Sequence, residues 1–142
     1  MSNYVNTVDV IGDKALTNSI IDRSITSFTD GNIQHLGDYA LYGCRALAYV
    51  DLWSVVSIDN YAFTYCPLTA LILRPETLVP SGAYPCGSTP IKDGTGYIYV
   101  PKALVSSYKE AANWNRYANQ FRALEDYTVD GTITGALDET KI

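Results

Sequence analysis

The sequence predicts an α/β solenoid, because one pattern is written twice in the middle of the chain. Segment 36–44 (LGDYALYGC) recurs as segment 58–66 (IDNYAFTYC), with a small-large pair and a cysteine 22 positions later. An alternating apolar run follows each cysteine, from Leu47 to Leu52 and from Leu68 to Leu73, at an offset of 21. A fixed period in the low twenties around an L-x-x-L-x-L core is typical of leucine-rich repeats.

Length, composition and charge narrow the classes of protein. A chain of 142 residues with 47% hydrophobic and 18% charged residues predicts one ordered domain with a real core. The net charge of −5 and the scattered lysines and arginines argue against nucleic acid or an anionic membrane surface as partner. No stretch approaches 18 apolar residues, so membrane insertion is not expected. The N-terminus lacks the basic start and apolar core of a secretory signal, and none is expected.

The first repeat is expected to be degenerate, because terminal repeats have solvent on one side. Segment 11–16 aligns with segment 36–41, and segment 25–28 aligns with segment 47–50. Residues 17–24 replace the cysteine turn, and Asp30 stands where the other repeats have an apolar strand residue. The repeats are predicted to span residues 11–100 in about four coils, after an N-terminal extension at 1–10.

Each regular repeat is predicted to contain a strand and a tight turn on the opposite side. The alternation from Leu47 to Leu52 and from Leu68 to Leu73 indicates strands with every second residue buried. The segments DYAL and NYAF indicate single helical or 3₁₀ turns. Stacked strands would form a parallel ladder with two inward rows: Phe28, Val50 and Leu71 in one, Leu52 and Leu73 in the other.

A fourth, degenerate repeat is predicted after a long connection. Segment 83–86 echoes segment 62–66 with one residue deleted, so that Cys86 takes the place of Cys66, and Ile98 and Val100 supply the strand. Residues 75–95 are rich in proline, glycine and serine, which indicates an ordered but irregular loop. The DGTG segment at 93–96 lacks the spacing and the lysine of a phosphate-binding loop, and a turn is expected there.

The period changes at Pro101, where a C-terminal helical cap is predicted over residues 101–126. Proline in the first turn, followed by apolar residues at helical spacing, indicates a short amphipathic helix. An aromatic stripe of Trp114, Tyr117 and Phe121 continues it and is expected to cover the last coil. In residues 127–142, β-rich sequence on both sides of Asp130-Gly131 predicts a hairpin, followed by a loose acidic tail.

No residue pattern indicates catalysis, a metal or another cofactor. Cys44 and Cys66 occupy equivalent positions, so the three cysteines, with Cys86, are expected as buried thiols instead of a zinc site or a disulfide. His35, the single histidine, begins a repeat beside a turn and is expected at the surface or at a strand edge, without a triad's elbow or oxyanion loop. The chain is therefore predicted not to be an enzyme.

A binding surface is predicted on the outer face of the strands. Residues that alternate with the inward rows would face outward, and tyrosine, tryptophan and arginine are enriched where interfaces concentrate their energy. The alternative is that several of these side chains pack on neighbouring coils or under the cap. The predicted binding residues are Tyr49, Asp51, Trp53, Ile72, Arg74, Tyr97 and Tyr99.

The doubled block LGDYALYGCRALAYVDL and IDNYAFTYCPLTALIL resembles the BspA-like (Treponema pallidum-type) leucine-rich repeat family. Segment 96–124 is similar to the C-terminal cap that closes such arrays, so the resemblance covers residues 11–124. It implies a right-handed solenoid used for adhesion or protein binding, with no catalytic residues. The whole arrangement is also similar to short phage and prophage proteins of gut bacteria.

The resemblance implies a non-enzymatic structural or host-attachment component of a phage particle, located in its tail, fibre or capsid surface. Its expected partners are other virion or surface proteins, or a host-surface protein or glycan; a homo-oligomer stays open. The alternative is a bacterial cell-surface or secreted binding module. A carbohydrate-cleaving enzyme is the third hypothesis.

Overall fold

The chain forms short, mostly parallel strands in this computed structural model, which describes residues 15–16, 23–126, 128–129 and 132–133. The strands of the described residues are β1 (Ala15–Leu16), β2 (Ser27–Asp30), β3 (His35–Leu36), β4 (Tyr49–Leu52), β5 (Ser57–Ile58), β6 (Ala70–Leu73), β7 (Tyr97–Val100), β8 (Phe121–Ala123), β9 (Thr128–Val129) and β10 (Thr132–Ile133). The helices are α1 (Pro90–Asp93) and α2 (Val105–Glu110), with 3₁₀ segments at Lys102–Leu104, Trp114–Gln120 and Leu124–Asp126. The general α/β class that the sequence predicts is confirmed.

The principal sheet has five parallel strands in the order β2-β4-β6-β7-β8. Its central row consists of one residue from each strand, and each residue pairs with the next across the sheet: Phe28, Val50, Leu71, Ile98 and Phe121. All five are buried. The predicted row of Phe28, Val50 and Leu71 is therefore confirmed. The period-2 alternation is sufficient for this result, because a one-residue slip would turn every apolar side chain outward.

The second predicted inward row, Leu52 beside Leu73, is confirmed in the same way. Asp30 pairs with Leu52 at the end of the row, as predicted, but its carboxylate turns to the backbone. Its Oδ1 accepts hydrogen bonds from the N–H groups of Asn32 and Ile33 at 2.7 and 2.6 Å. The aspartate thus fixes the turn that leads out of β2, which is the usual role of this residue type at such a position.

Replacing Leu71 by alanine is expected to lower the free energy of unfolding by about 2–5 kcal/mol, the usual range for a leucine deleted from a packed core. Its side chain is fully buried in the central row, with Val50 and Ile98 on the adjacent strands. Chemical denaturation of both proteins measures the difference. Ala70→Ser, on the opposite face of the same strand, should cost less than about 1 kcal/mol. Equal costs for both variants would contradict the register.

A second parallel sheet of three two-residue strands runs in the order β1-β3-β5 and continues through an isolated bridge between Ile58 and Ser81. Its register places Leu16 beside Leu36, and Leu36 beside Ile58. The predicted alignment of segment 11–16 with segment 36–41, which puts Ile11 opposite Leu36, is therefore wrong by five residues.

The number of residues between the two sheets varies from one crossing to the next. Leu16 lies 12 positions before Phe28, Leu36 lies 14 before Val50, and Ile58 lies 13 before Leu71. The next crossing, from Ser81 to Ile98, takes 17 positions. A short sequence match such as that of Ile11 with Leu36 does not report this spacing, so it does not determine the register of β1.

The turns between the two sheets are also linked by backbone hydrogen bonds. Tyr39 N–H donates to the carbonyl of Asn60 at 2.8 Å, and Tyr61 N–H donates to the carbonyl of Ala83 at 2.9 Å. Within one turn the bonds connect residues three apart, as in a 3₁₀ helix, for example from Ala40 N–H to the carbonyl of Gly37 at 3.1 Å. The turns therefore have the hydrogen bonds of the predicted 3₁₀ alternative, but Tyr39 and Tyr61 have φ values of 58° and 56°, which a regular helical turn does not allow.

The same hydrogen bonds correct the predicted place of Cys86. Phe63 N–H donates to the carbonyl of Pro85 at 2.9 Å, so Cys86 lies beside Phe63, not in the position of Cys66. The single-residue deletion inferred between segments 62–66 and 83–86 is therefore wrong. The segment from Phe63 to Cys86 is instead one residue longer than the equivalent segment from Leu41 to Phe63. In the core, Cys86 takes the place that Phe63 holds in the preceding turn.

Part of the predicted irregular loop at 75–95 is regular, because α1 lies within it. Thr89 caps the helix by accepting a hydrogen bond from Lys92 N–H at 3.2 Å, and its hydroxyl donates to the carbonyl of Cys86 at 2.7 Å. Pro90 occupies the first turn, and Gly94 ends the helix at φ 94°, where a β-carbon would be strained. The hydrogen bonds at both ends of this four-residue helix make this part of the connection regular.

The C-terminal region is helical and packs on the end of the sheet, with its aromatic stripe buried. Trp114 Nε1 donates to the carbonyl of Val79 at 2.7 Å, and the Tyr108 hydroxyl accepts from Val79 N–H at 2.9 Å. The hydroxyl of Tyr117 accepts from Cys86 N–H at 3.2 Å. The predicted core role of the stripe is confirmed, although Phe121 belongs to β8, a fifth sheet strand that the helical spacing does not predict.

The predicted hairpin is present as β9 and β10, which pair antiparallel with Thr132 opposite Val129. Its Asp130-Gly131 turn, the acidic tail and the N-terminal extension at 1–10 lie outside the described residues. No helix among the described residues has the length and apolar character needed to cross a bilayer.

Candidate functional site

The outer face of the principal sheet brings together the binding residues predicted from sequence. Register places Asp51 beside Ile72, and Ile72 beside Tyr99, in one outward row. Tyr49 and Tyr97 lie in the parallel row, separated by Ala70. The face is thus assembled as predicted, since alternate residues of a strand point to opposite sides of the sheet.

Two of the predicted binding residues are unavailable to a partner. Asp51 and Ile72 are both 0% exposed, so their assignment as binding residues is wrong. Tyr49, Tyr97 and Tyr99 are half-buried. Burial raises the pKa of the Tyr99 hydroxyl, and the neighbouring Tyr97 raises it further. Strand alternation predicts on which face of the sheet a side chain lies. It does not predict whether neighbouring long side chains on that face cover it.

Asp51 is held by a bidentate ion pair with Arg74. Arg74 Nε and Nη2 donate to the two carboxylate oxygens at 2.7 and 2.8 Å, and the Tyr49 hydroxyl donates to Asp51 Oδ2 at 3.4 Å. The guanidinium lies 3.7 Å from the ring centroid of Trp53. Four of the predicted binding residues therefore contact one another: Tyr49, Asp51, Trp53 and Arg74. The alternative prediction, that these side chains pack within the domain, describes them better.

The far end of this face carries a second, more accessible cluster. The Arg122 guanidinium lies 4.6 Å from the centroid of the Tyr97 ring, and Tyr97 meets Tyr99 edge-on at 6.4 Å. Arg122 is exposed and belongs to β8, the unpredicted strand. Tyr97 and Tyr99 therefore remain the predicted binding residues best placed to contact a partner on this side.

The turns carry a larger aromatic surface that the sequence reasoning missed. Tyr39 stacks on Tyr61 with ring centroids 5.2 Å apart, and Tyr61 stacks on Tyr84 at 5.9 Å, with interplanar angles of 16° in both pairs. Tyr39 and Tyr84 are 40% and 42% exposed. Tyr42 and Tyr65 meet edge-on at 5.3 Å beside this stack. We call these five residues the tyrosine ladder.

Backbone geometry fixes the ladder. Tyr39, Tyr61 and Tyr84 have φ values of 58°, 56° and 47°, which bulky residues rarely adopt. The hydrogen bonds between successive turns hold each residue in place, so the rings stack at nearly the spacing of the backbones. The signal was visible in the sequence as Asp38-Tyr39-Ala40 and Asn60-Tyr61-Ala62, whose tyrosines lie 22 positions apart.

Arginines flank the tyrosine ladder on two sides. The Arg45 guanidinium lies 5.6 Å from the centroid of the Tyr65 ring, and that of Arg116 lies 4.2 Å from the Tyr84 ring. Tyr65 is the most exposed aromatic of the ladder at 44%. Exposed tyrosine beside arginine is the composition that protein-binding surfaces favour.

Two open clefts adjoin this aromatic surface and share one acidic residue. The first has a volume of about 320 Å³ and is lined by Arg45, Tyr65, Cys66, Pro67, Ser88, Thr89, Pro90 and Asp93. The second has a volume of about 290 Å³ and is lined by Ile91, Lys92, Asp93, Gly94, Asn115, Arg116, Tyr117, Ala118, Asn119 and Gln120. Both border α1, and both are about the size at which small-molecule sites begin, roughly 300 Å³.

The cysteines are poorly suited to nucleophilic chemistry. All three are buried, as predicted. A hydrogen bond with the Cys44 side chain, followed by burial, raises the pKa of the Cys66 thiol, and burial alone raises that of Cys86. Cys66 Sγ donates to the carbonyl of Leu41 at 3.0 Å. Because the thiolate is the reactive form, these environments disfavour covalent catalysis.

The single histidine has a structural contact. His35 is partly exposed, which agrees with the predicted surface position, although it lies in β3, the central strand of the second sheet, and not on an edge strand. Its Nδ1 is 2.7 Å from the hydroxyl oxygen of Ser57 on the adjacent strand β5. Among the described residues, no three histidine, cysteine or acidic side chains are grouped closely enough to hold a metal ion.

No known protein family matches this chain, and neither a curated protein nor a solved structure is significantly similar to it. The resemblance to BspA-like repeats therefore stays a prediction based on the quoted motifs. Any functional assignment depends on the geometry of the tyrosine ladder, the outer sheet face and the two clefts.

Proposed function

We propose that this chain is a short leucine-rich repeat solenoid of the BspA-like type that acts by binding, without catalysis. Support comes from the recurrence of equivalent positions in consecutive strands and turns. Leu36 pairs with Ile58 22 positions later, and Val50 pairs with Leu71 21 positions later. A period in this range with strand rows and turn rows in register is expected when repeats stack as coils.

The observation that carries the binding role is the tyrosine ladder. A stack of three nearly parallel, partly exposed tyrosines is a rigid amphipathic surface, and it loses little conformational entropy when a partner binds. Left-handed backbone conformations at all three positions are costly and are retained only where the surroundings determine them. Such strain at an exposed surface favours a functional role.

The biological setting that we propose is a phage particle, in which the chain is a tail, fibre or capsid-surface component. The motif resemblance to phage proteins supports this setting, as does the two-stranded β9–β10 hairpin, which needs a surface to pack on. The partners would be another virion protein or a host-surface protein or glycan. The net charge of −5 disfavours nucleic acid as the partner.

Mass spectrometry of purified particles tests the setting, using the host that carries this gene. We expect the full-length chain in intact virions at a fixed ratio to the major capsid protein. Particles that carry Tyr61→Ala and Tyr84→Ala should either lose this chain or lose attachment to host cells. Absence of the chain from wild-type virions would reject the proposal.

The alternative setting, a bacterial cell-surface or secreted binding module, predicts a different result. Protease treatment of intact cells would then degrade the chain, whereas a phage component inside unlysed cells would be protected. A matched variant, Lys109→Ala on the exposed side of α2, should behave as wild type in both experiments.

A further inference from the structure

The two clefts beside α1 join Tyr65 of the tyrosine ladder and its flanking arginines to a set of polar side chains that the binding role described so far does not use. Asp93 lines both clefts and is exposed at the end of the helix. Arg45 and Tyr65 lie on one side, and Lys92 and Arg116 line the other. The clefts are therefore adjoining parts of one surface with an acceptor at the centre and donors around it.

The second cleft is rich in amide side chains. Asn115, Asn119 and Gln120 line it, and Gln120 is oriented by the hydrogen bond from its Nε2 to the carbonyl of Gly96 at 2.7 Å. Amides both donate and accept hydrogen bonds, as do the hydroxyl groups of a sugar. The first cleft adds the hydroxyl of Ser88 and the ring of Tyr65.

Hydrogen bonds and ring contacts hold the segments that carry several of these side chains. Thr89 and Gly94 satisfy the two ends of α1, which positions the backbone of Asp93. Tyr65 has a φ of 66° and donates its N–H to the carbonyl of Gly87 at 3.3 Å. Arg116 is held over the Tyr84 ring at 4.2 Å. A pre-arranged set of groups lowers the entropy lost on binding.

We propose that the two clefts form a saccharide-binding site, which takes two or more linked neutral sugar units across α1. Asp93 would accept hydrogen bonds from sugar hydroxyls, Arg45 and the amides would donate to them, and the Tyr65 ring would pack against the apolar face of one ring. This assignment rests on the proposed binding function and specifies the class of ligand.

The clefts carry three cations against one carboxylate, but the position of Asp93 where the clefts meet favours a neutral saccharide over an anionic ligand, and the polar lining disfavours a peptide. An anionic ligand would meet Arg45, Lys92 and Arg116, but it would also meet the carboxylate of Asp93 at the point shared by both clefts. A peptide ligand usually relies on apolar anchors in pockets, whereas the second cleft is lined mainly by amide and charged groups. Neutral hydroxyl-rich chains use both the donors and the acceptor.

Isothermal titration calorimetry and saturation-transfer NMR on the purified full-length chain test this site. The probes are hexasaccharides of β-1,4-glucose, β-1,3-glucose, β-1,4-N-acetylglucosamine, α-1,6-glucose and α-1,6-mannose, with a sialylated hexasaccharide as the acidic comparison. We expect at least one neutral probe to bind, and we expect Asp93→Ala and Tyr65→Ala each to weaken that binding by tenfold or more. Glu76→Ala, an exposed acid that lines neither cleft, should leave the affinity unchanged.

Each other outcome overturns the assignment. Absence of binding to every neutral probe, or exclusive binding of the acidic probe, would reject a neutral saccharide site. Affinity that is unaffected by Asp93→Ala and Tyr65→Ala would place the sugar elsewhere. Thermal unfolding of each variant near the wild-type temperature shows that lost binding does not reflect lost folding. A negative result here leaves the virion experiment untouched, so the two proposals fail separately.

Discussion

Replacing Trp114 by alanine is expected to lower the free energy of unfolding by about 3–5 kcal/mol, the range measured for large aromatic residues in cores. Trp114 is fully buried among Tyr108 and Phe121, with ring centroids 5.9 and 6.0 Å away. The substitution removes this packing and also leaves the buried carbonyl of Val79 without its 2.7 Å hydrogen bond from Nε1. Both losses act at the boundary between the sheet and the C-terminal region.

Chemical denaturation monitored by far-UV circular dichroism measures this cost. Trp114→Phe should recover part of the loss, since it restores most of the packing without the hydrogen bond. Lys109→Ala, exposed on the neighbouring α2, should change stability by less than about 0.5 kcal/mol. A cost below about 1 kcal/mol for Trp114→Ala would show that the C-terminal region is not packed on the sheet.

Replacing Arg74 by alanine is expected to cost about 3–5 kcal/mol, because it leaves the carboxylate of Asp51 buried without its cation. Asp51 has a side-chain exposure of 0%, and that of Arg74 is 8%. The variant also loses the stacking of the guanidinium on Trp53. A surface ion pair would be worth at most about 1 kcal/mol, so the size of the effect distinguishes a buried pair from an exposed one.

The matched control for this variant is Arg122→Ala on the same face of the sheet. Arg122 also stacks on an aromatic ring but is exposed and makes no ion pair among the described residues, so its loss should cost about 1 kcal/mol or less. The double variant Asp51→Asn with Arg74→Met should be more stable than Arg74→Ala alone, because no unpaired charge is buried. An Arg74→Ala cost equal to that of Arg122→Ala would contradict the buried pair.

The sequence was most informative about the strands of the principal sheet. Phe28, Val50 and Leu71 were placed in one row from their spacing alone, because period-2 alternation and the recurring offset each restrict the register. The core role of Trp114 and Tyr117 followed from helical spacing in the same way. These are local or strictly periodic properties, which a single sequence encodes directly.

The errors arose where the sequence pattern departs from its period. Ile11 was aligned with Leu36 on a matching motif, and Cys86 was matched to Cys66 on a shared cysteine. In both cases the number of residues between neighbouring elements varies along the chain, and a short sequence match does not report it. Phe121 was assigned to a helical stripe, but it lies in β8 because the edge of β7 still had backbone groups to pair.

The candidate site was the least predictable part. Side-chain alternation placed Asp51 and Ile72 outward, yet both are fully buried, because exposure depends on how long side chains from several strands cover one another. The tyrosine ladder was missed because no local pattern favours tyrosine at a left-handed φ. Contacts between successive turns hold those residues there, and the clefts at Asp93 form from segments that are distant in the sequence.

The sequence by itself therefore determined the α/β class, the inward rows of the principal sheet, the buried aromatic stripe and the hairpin. Only the tertiary structure decided the register of the first strand, the position of Cys86, the buried pair of Asp51 with Arg74 and the stacking of Tyr39, Tyr61 and Tyr84. The physical reason is that periodicity reports which side of an element is apolar. The contacts between elements depend on connection length, backbone strain and mutual burial, which are properties of the assembled fold.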